Sequence, residues 1–276
     1  MDETEWKWID NSLISEQRLP GMNYRIEDGD NPNSNLYVVY CSSNGIYFPN
    51  NEETFRKRII EQDKYDWKRN RIKKNVCKHI YIRDLYKNWY VEGINIEINT
   101  IQKVADWIVS ITPKGAEFVF IGSSAGGYMS ICLASILGGT VFAGSPQIQL
   151  KVLDKYPFLC IHQHDRECNR WFDLKQVISE SKCKSRYYIL YGAKNEEDHD
   201  QISKISDLPN VKVIEFDTDL HGVVFLPFNV KDFYRKADVL ERMSMKNKMV
   251  SRITFSVKVS GLWRTLFECG KKIIKR

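Results

Sequence analysis

Phe118-Val119-Phe120-Ile121-Gly122-Ser123-Ser124-Ala125-Gly126-Gly127-Tyr128 decides how the rest of this chain is read. The first four residues are wholly apolar, as a strand covered on both faces of a parallel sheet must be. Six small residues follow and predict a tight turn. Tyr128 to Leu137 is a largely apolar helical stretch, closed by Gly138-Gly139. The turn spells G-x-S-x-G over residues 122–126, a pattern whose meaning comes from the strand before it and the helix after it. A serine on so sharp a turn takes strained backbone angles, and small neighbours let strand and helix approach each other. Its hydroxyl is pushed out beyond the sheet, beside the first N–H groups of the helix. Ser124 is therefore the candidate nucleophile and the Ala125 N–H a candidate oxyanion donor. The competing reading is a glycine-rich turn that packs tightly or holds a phosphate. No Lys-Ser/Thr pair follows Gly126-Gly127, and no G-x-G-x-x-G is present.

Outward from this segment, Asn35–Tyr40, Val76–Arg83, Thr140–Gly144, Arg186–Tyr191 and Val211–Phe216 read as strands. Ile101–Ile111 places apolar residues at 101, 104, 105, 108 and 111, one helical face. Residues 51–74 are strongly charged and read as a surface helix with its flanks. Strands alternating with helical segments predict an α/β fold with a mostly parallel central sheet flanked by helices.

A serine hydroxyl is a poor nucleophile at neutral pH and needs a base. Of the five histidines, His221 follows the last strand of the body, in Asp219-Leu220-His221-Gly222. The group that orients it is expected in chain order between serine and histidine, on the loop after the penultimate strand. That loop offers Glu196, Glu197, Asp198 and Asp200. Asp198 is favoured for its distance past the strand end, with Asp200 second; Asp219 lies too close to His221 in sequence. His199 reads as a surface residue.

The order Ser124, Asp198, His221 on this succession of elements resembles the α/β-hydrolase superfamily over residues 35–228. The resemblance implies a serine hydrolase of the esterase type, needing no metal or organic cofactor. It also implies a second oxyanion donor from the loop Cys41-Ser42-Ser43-Asn44-Gly45, for which Ser43 is the candidate, although the family's His-Gly-Gly-Gly version of that loop is missing. Ile82-Arg83-Asp84, Asn88-Trp89-Tyr90 and Ala143-Gly144-Ser145-Pro146-Gln147 are similar to hydrolase-like proteins of bacterial surface-polysaccharide gene clusters. They are distantly similar to the glycan acetyltransferase component of accessory secretion systems. This implies an acylated small molecule or glycan as substrate, with an O-acyltransferase as the alternative to an esterase. A non-catalytic scaffold or glycan-binding subunit is the alternative from another class. Trp89 and Tyr90 suit a sugar face, or else pack beneath their loop.

The chain has 276 residues, 43% hydrophobic and 28% charged, too apolar for a disordered chain. Seven cysteines without a CxxC pair argue against a disulfide framework or a zinc ribbon. The acidic start, Met1-Asp2-Glu3-Thr4-Glu5, runs into no apolar stretch, which argues against a secretory signal and predicts a cytoplasmic protein. His162, His164, Asp165 and Cys168 are metal-ligand types without a second ligand pair, and a capping loop is the better reading. The basic run Lys68–Lys74 is diluted by Glu61, Asp63 and Asp66 and reads as a solvated face; no nucleic acid is expected.

Charge divides the chain. Residues 231–276 hold 13 Lys/Arg against 4 Asp/Glu, a net +9, which leaves −3 of the total +6 for residues 1–230. The expected organisation is an N-terminal arm (1–34), a catalytic domain (35–230) and a basic C-terminal extension (231–276). Ile253, Phe255, Val257 and Val259 alternate and predict a strand. Leu262, Leu266, Ile273 and Ile274 fall near one helical face, with Trp263 and Phe267 at its edge. Such a helix among basic residues points to an anionic inner-membrane surface, against the plainer reading of a helix packed on the body.

Overall fold

The computed structural model describes residues 11–150, 170–246 and 248–274. In chain order the elements are α1 Asn11–Glu16, β1 Tyr24–Asp28, β2 Leu36–Cys41, α2 Glu52–Phe55, β3 Lys78–Ile82, α3 Ile101–Ser110, β4 Glu117–Ser123, α4 Ala125–Leu137 and β5 Gly139–Gly144. They continue with α5 Leu174–Glu180, β6 Ser185–Gly192, α6 Glu196–Ser203, β7 Val211–Phe216, α7 Ala237–Ser244, α8 Arg252–Ser260 and α9 Leu262–Ile274.

Seven strands form one sheet in the order β1-β3-β2-β4-β5-β6-β7, with only β1 antiparallel to its neighbour. The chain leaves β2 for β3 on one side and returns to β4 on the other. The strand order therefore reverses at β2, and the crevice beyond the carboxyl ends of β2 and β4 is where such sheets place their sites. Register makes the two ends level: Cys41 lies opposite Gly122. The segments just beyond them, Ser42-Ser43 and Ser123-Ser124, then leave the sheet side by side.

Side chains alternate between the two faces with the period of two that a strand imposes. Tyr37, Val39 and Cys41 join α3, α4 and α5 on one face. Leu36, Val38 and Tyr40 point to the other, where they meet Phe233, Leu240, Phe255 and Val259. Residues of the basic C-terminal stretch thus help to form the second covering layer of the sheet. The expected N-terminal arm likewise supplies β1, an edge strand. Among the described residues, no helix is long and apolar enough to cross a membrane.

Two expectations are corrected. Residues 252–260 form helix α8, not a strand: Ser251 caps it by accepting the Thr254 N–H, and Phe255 and Val259, four apart, bury one helical face. An alternating sequence and a helical stripe share those two positions, and the cap decides between them. The charged helix over 51–74 ends at Glu61. Beyond it Asp63 and Trp67 take left-handed backbone angles, and Trp67 turns inward to stack on Phe225 with ring centroids 6.2 Å apart. The basic run does not lie free either. Lys68 and Arg71 pair with Glu27 of β1, and the Ile72 N–H donates to the buried Tyr40 hydroxyl.

Candidate active site

Ser124 stands between β4 and α4 with φ 51° and ψ −122°. A non-glycine residue holds such angles only where its surroundings fix them. Here the Ser124 N–H donates to Gly144 O at 2.8 Å, and Ser124 O accepts the Tyr128 N–H at 3.0 Å. The flanking glycines are sterically required. A Cβ on Gly126 would lie 2.2 Å from Cys41 O, and one on Gly122 2.1 Å from Gly126 O. The helix that follows is apolar all round because α3 and α5 cover what the sheet does not.

The structure brings Ser124, His221 and Asp198 together. His221 Nε2 is 2.9 Å from Ser124 Oγ, and His221 Nδ1 is 2.7 Å from Asp198 Oδ1. With a carboxylate accepting from Nδ1–H, Nε2 is left as the acceptor for the serine hydroxyl. Asp198 is buried, whereas His221 is 46% exposed, so the base faces solvent and its orienting acid does not. Asp200, the second choice for the acid, points away and pairs with Lys204 on the surface. His199 is exposed and meets the Tyr191 hydroxyl at 3.0 Å.

Backbone details explain this placement. Asp198 sits in the first turn of α6, capped by Asn195, whose side-chain oxygen accepts the Asp198 N–H at 3.0 Å. The Asn195 amide also donates to Asp219 O at 3.1 Å, which ties the acid's helix to the histidine loop. Sequence reasoning missed Asn195. The signal was present, because an asparagine three residues before an acid is the pattern of a helix N-terminus. The histidine loop in turn lies against the end of β5: a Cβ on Gly144 would meet Gly222 O at 2.4 Å.

The oxyanion expectations divide. Ala125 opens α4, so its N–H has no acceptor within the helix. The Ser43 N–H, by contrast, donates to Asp66 Oδ2 at 2.9 Å, and the Ser43 hydroxyl donates to the same oxygen at 3.0 Å. That donor is committed in this structure. A surface helix over 51–74, as the charge pattern predicts, offers no acceptor there.

Trp89 and Tyr90 are corrected as sugar-stacking residues. They are 4% and 0% exposed, within the core. The Tyr90 hydroxyl donates to Ser42 O at 2.7 Å, supporting the β2 loop from below. Lys87, Trp89 and Tyr90 all have positive φ. Asp84 holds that contorted loop: its carboxylate accepts the N–H groups of Tyr86, Asn88 and Tyr90 at 2.8–2.9 Å. Burial pushes its pKa up to about 6, against the lowering effect of the Tyr90 and Asn88 N–H groups. Lys87 nearby is pushed down to about 7, again by burial.

His162, His164, Asp165 and Cys168 lie outside the described residues, and no cluster of metal-ligand types occurs among the described ones.

No protein-family model matches the chain, and no curated protein matches it by sequence. Solved structures do. A capsule O-acetyltransferase of Neisseria meningitidis serogroup A superposes with a TM-score of 0.51 at 13% identity, over 81% of this chain and 90% of that one. A second structure of that enzyme gives 0.50 at 12% identity, over 71% and 82%. Esterase B from Lactobacillus rhamnosis gives 0.49 at 13% identity, over 84% and 91%. At such identities the likeness is one of architecture. Strand order, a serine at the β4–α4 turn, an acid after β6 and a histidine after β7 agree with it: this chain has the α/β-hydrolase fold.

Proposed function

We propose that this protein is a serine-dependent esterase that acts through an acyl-enzyme on an acylated carbohydrate. The observation that carries the reading is the chain of two short contacts, 2.9 Å from Ser124 Oγ to His221 Nε2 and 2.7 Å from His221 Nδ1 to Asp198 Oδ1. His221 takes the hydroxyl proton as Ser124 Oγ bonds to the ester carbonyl carbon. The Ala125 N–H and the dipole of α4 stabilise the oxyanion. As the tetrahedral species collapses, His221 returns the proton to the leaving alcohol and the acyl group stays on Ser124. A second acceptor then gives its proton to His221 and takes the acyl group. The exposed His221 ring favours water in that role. No residue of this pathway calls for a metal or an organic cofactor.

The second reading keeps the same first half and replaces water with a sugar hydroxyl. It is favoured by the architectural likeness to a capsule O-acetyltransferase. A carbohydrate substrate is common to both.

A fluorophosphonate probe, read by intact mass, tests the acyl-enzyme. The expected result is one adduct on the wild type and none on Ser124→Ala, with esterase turnover reduced by about a thousandfold or more. No adduct on the folded wild type would overturn the reading in favour of a non-catalytic subunit. Acetyl release from an activated ester, with and without an added glycan, separates the acceptors: acylated glycan as the main product would select the transferase.

A further inference from the structure

Helix α9 is held down on one side only. Thr265 is buried, and the Arg264 guanidinium donates to Asp232 at 2.7 Å. Asp232 is itself 4% exposed and fixed by Ser260 at 2.8 Å and Arg235 at 2.8 Å. On the opposite side lie Leu262, Trp263, Leu266 and Phe267, with Trp263 83% and Phe267 62% exposed. At 100° per residue these four occupy a single continuous arc. A folded chain rarely leaves such an arc to water, and a tryptophan within it is the residue that suits the boundary between water and lipid.

The charges beside this arc come from three distant parts of the sequence. The turn Lys68–Asn70 packs against the turn Pro227–Asp232, which carries the basic run 68–74 to the root of the tail. Burial lowers the pKa of Lys231, and the fields of Lys73, Arg264 and Lys271 lower it further, with Glu268 opposing. Lys73 and Lys271 are exposed. Lys271 also rests its ammonium 4.1 Å over the Phe267 ring, at the margin of the apolar arc. The sequence alone separates the run at 68–74 from the tail; the fold places both at one site.

We propose that the exposed face of α9, with the cationic margin of Lys73, Lys231 and Lys271, docks on an anionic lipid surface. The apolar arc enters the headgroup region while the lysines lie among lipid phosphates. With 13 residues the helix measures roughly 20 Å and lies in the plane of the surface. The choice of lipid over a second copy of the chain rests on charge: a self-contact across this face would bring two sets of lysines together. The inference is independent of the chemistry at Ser124.

Flotation of the full chain with phosphatidylcholine vesicles, with and without roughly one-third phosphatidylglycerol, tests it. The wild type is expected to float with the anionic vesicles only, and less so as salt is raised. The pair Trp263→Ser and Phe267→Ser is expected to lower binding about tenfold, as is the pair Lys73→Glu and Lys271→Glu. All four positions are exposed or marginal, and an unchanged melting temperature and circular dichroism spectrum verify folding. Absence of flotation, equal flotation with neutral vesicles, or binding by the apolar-face variant at the wild-type level each overturns the proposal. So does a dimer in light scattering that the same variant abolishes, since the face would then be covered by its own copy.

Discussion

Asn195 illustrates what a single residue contributes to the site. Its oxygen caps α6 and its amide holds Asp219 O, so one side chain sets the distance between the acid and the loop of the base. Asn195→Ala removes both functions and is expected to lower stability by about 1 kcal/mol as a lost cap. Asn195→Asp keeps the accepting oxygen and removes the donor. It is expected to retain the stability while kcat falls roughly fivefold at unchanged KM, the equivalent of one net hydrogen bond, about 1 kcal/mol. Steady-state kinetics beside urea denaturation separate the two effects; a wild-type kcat in Asn195→Asp would reduce Asn195 to a cap. At this scale the meeting of Ser124, Asp198 and His221 is legible in the sequence, because motif, chain order and loop position all restrict them. Ser43 was not, because its N–H is claimed by an acid 23 positions away that no local pattern announces.

At the level of elements, the loop from Asp84 to Tyr90 has no regular hydrogen bonds of its own and relies on a buried carboxylate. A carboxyl whose folded pKa is raised above its ordinary 3.8 binds protons more tightly in the folded chain. The stability it contributes is therefore complete below about pH 4 and lost as pH rises through about 6. Asp84→Asn removes this titration. Wild type and variant compared by urea denaturation from pH 4 to 6.5 should differ in slope, with the variant lacking the decline that Asp84 gives the wild type. The variant should also be weaker at pH 4 by about 1–3 kcal/mol, because one of the three N–H groups loses its acceptor. The strands β2 to β7 were legible because buried parallel strands are apolar runs bounded by turn residues. β1 was not, since Tyr24–Asp28 is a charged edge strand. The sequence of α8 satisfies both periods, and the Ser251 cap decides for the helix.

The molecule as a whole is a three-layer sandwich in which residues 231–260 provide much of one outer layer. A composition boundary suggested an appendage, and charge alone could not reveal that Phe233, Leu240 and Phe255 lie beneath it. Phe255 is fully buried among Phe216, Phe225 and Phe233, with ring centroids 4.9–6.4 Å away. Phe255→Ala is expected to cost about 3–5 kcal/mol in chemical denaturation, a core effect that a dispensable tail would not produce.

Val250 lies at the border of the sheet, beside β7. Its N–H donates to Glu215 O at 2.9 Å and its carbonyl accepts the Asp217 N–H at 3.1 Å, closing the outer rim of β7. At the other rim, β1 presents Arg25 and Asp28 to solvent, with Glu27 ion-paired between them. One border is thus sealed by the chain and the other is guarded by charge. A shortened protein ending before Val250 would lose the seal and Phe255 together, exposing a ready template for strand-to-strand stacking. Such a product would be prone to grow into ordered aggregates, and its failure to bind vesicles would say nothing about the tail.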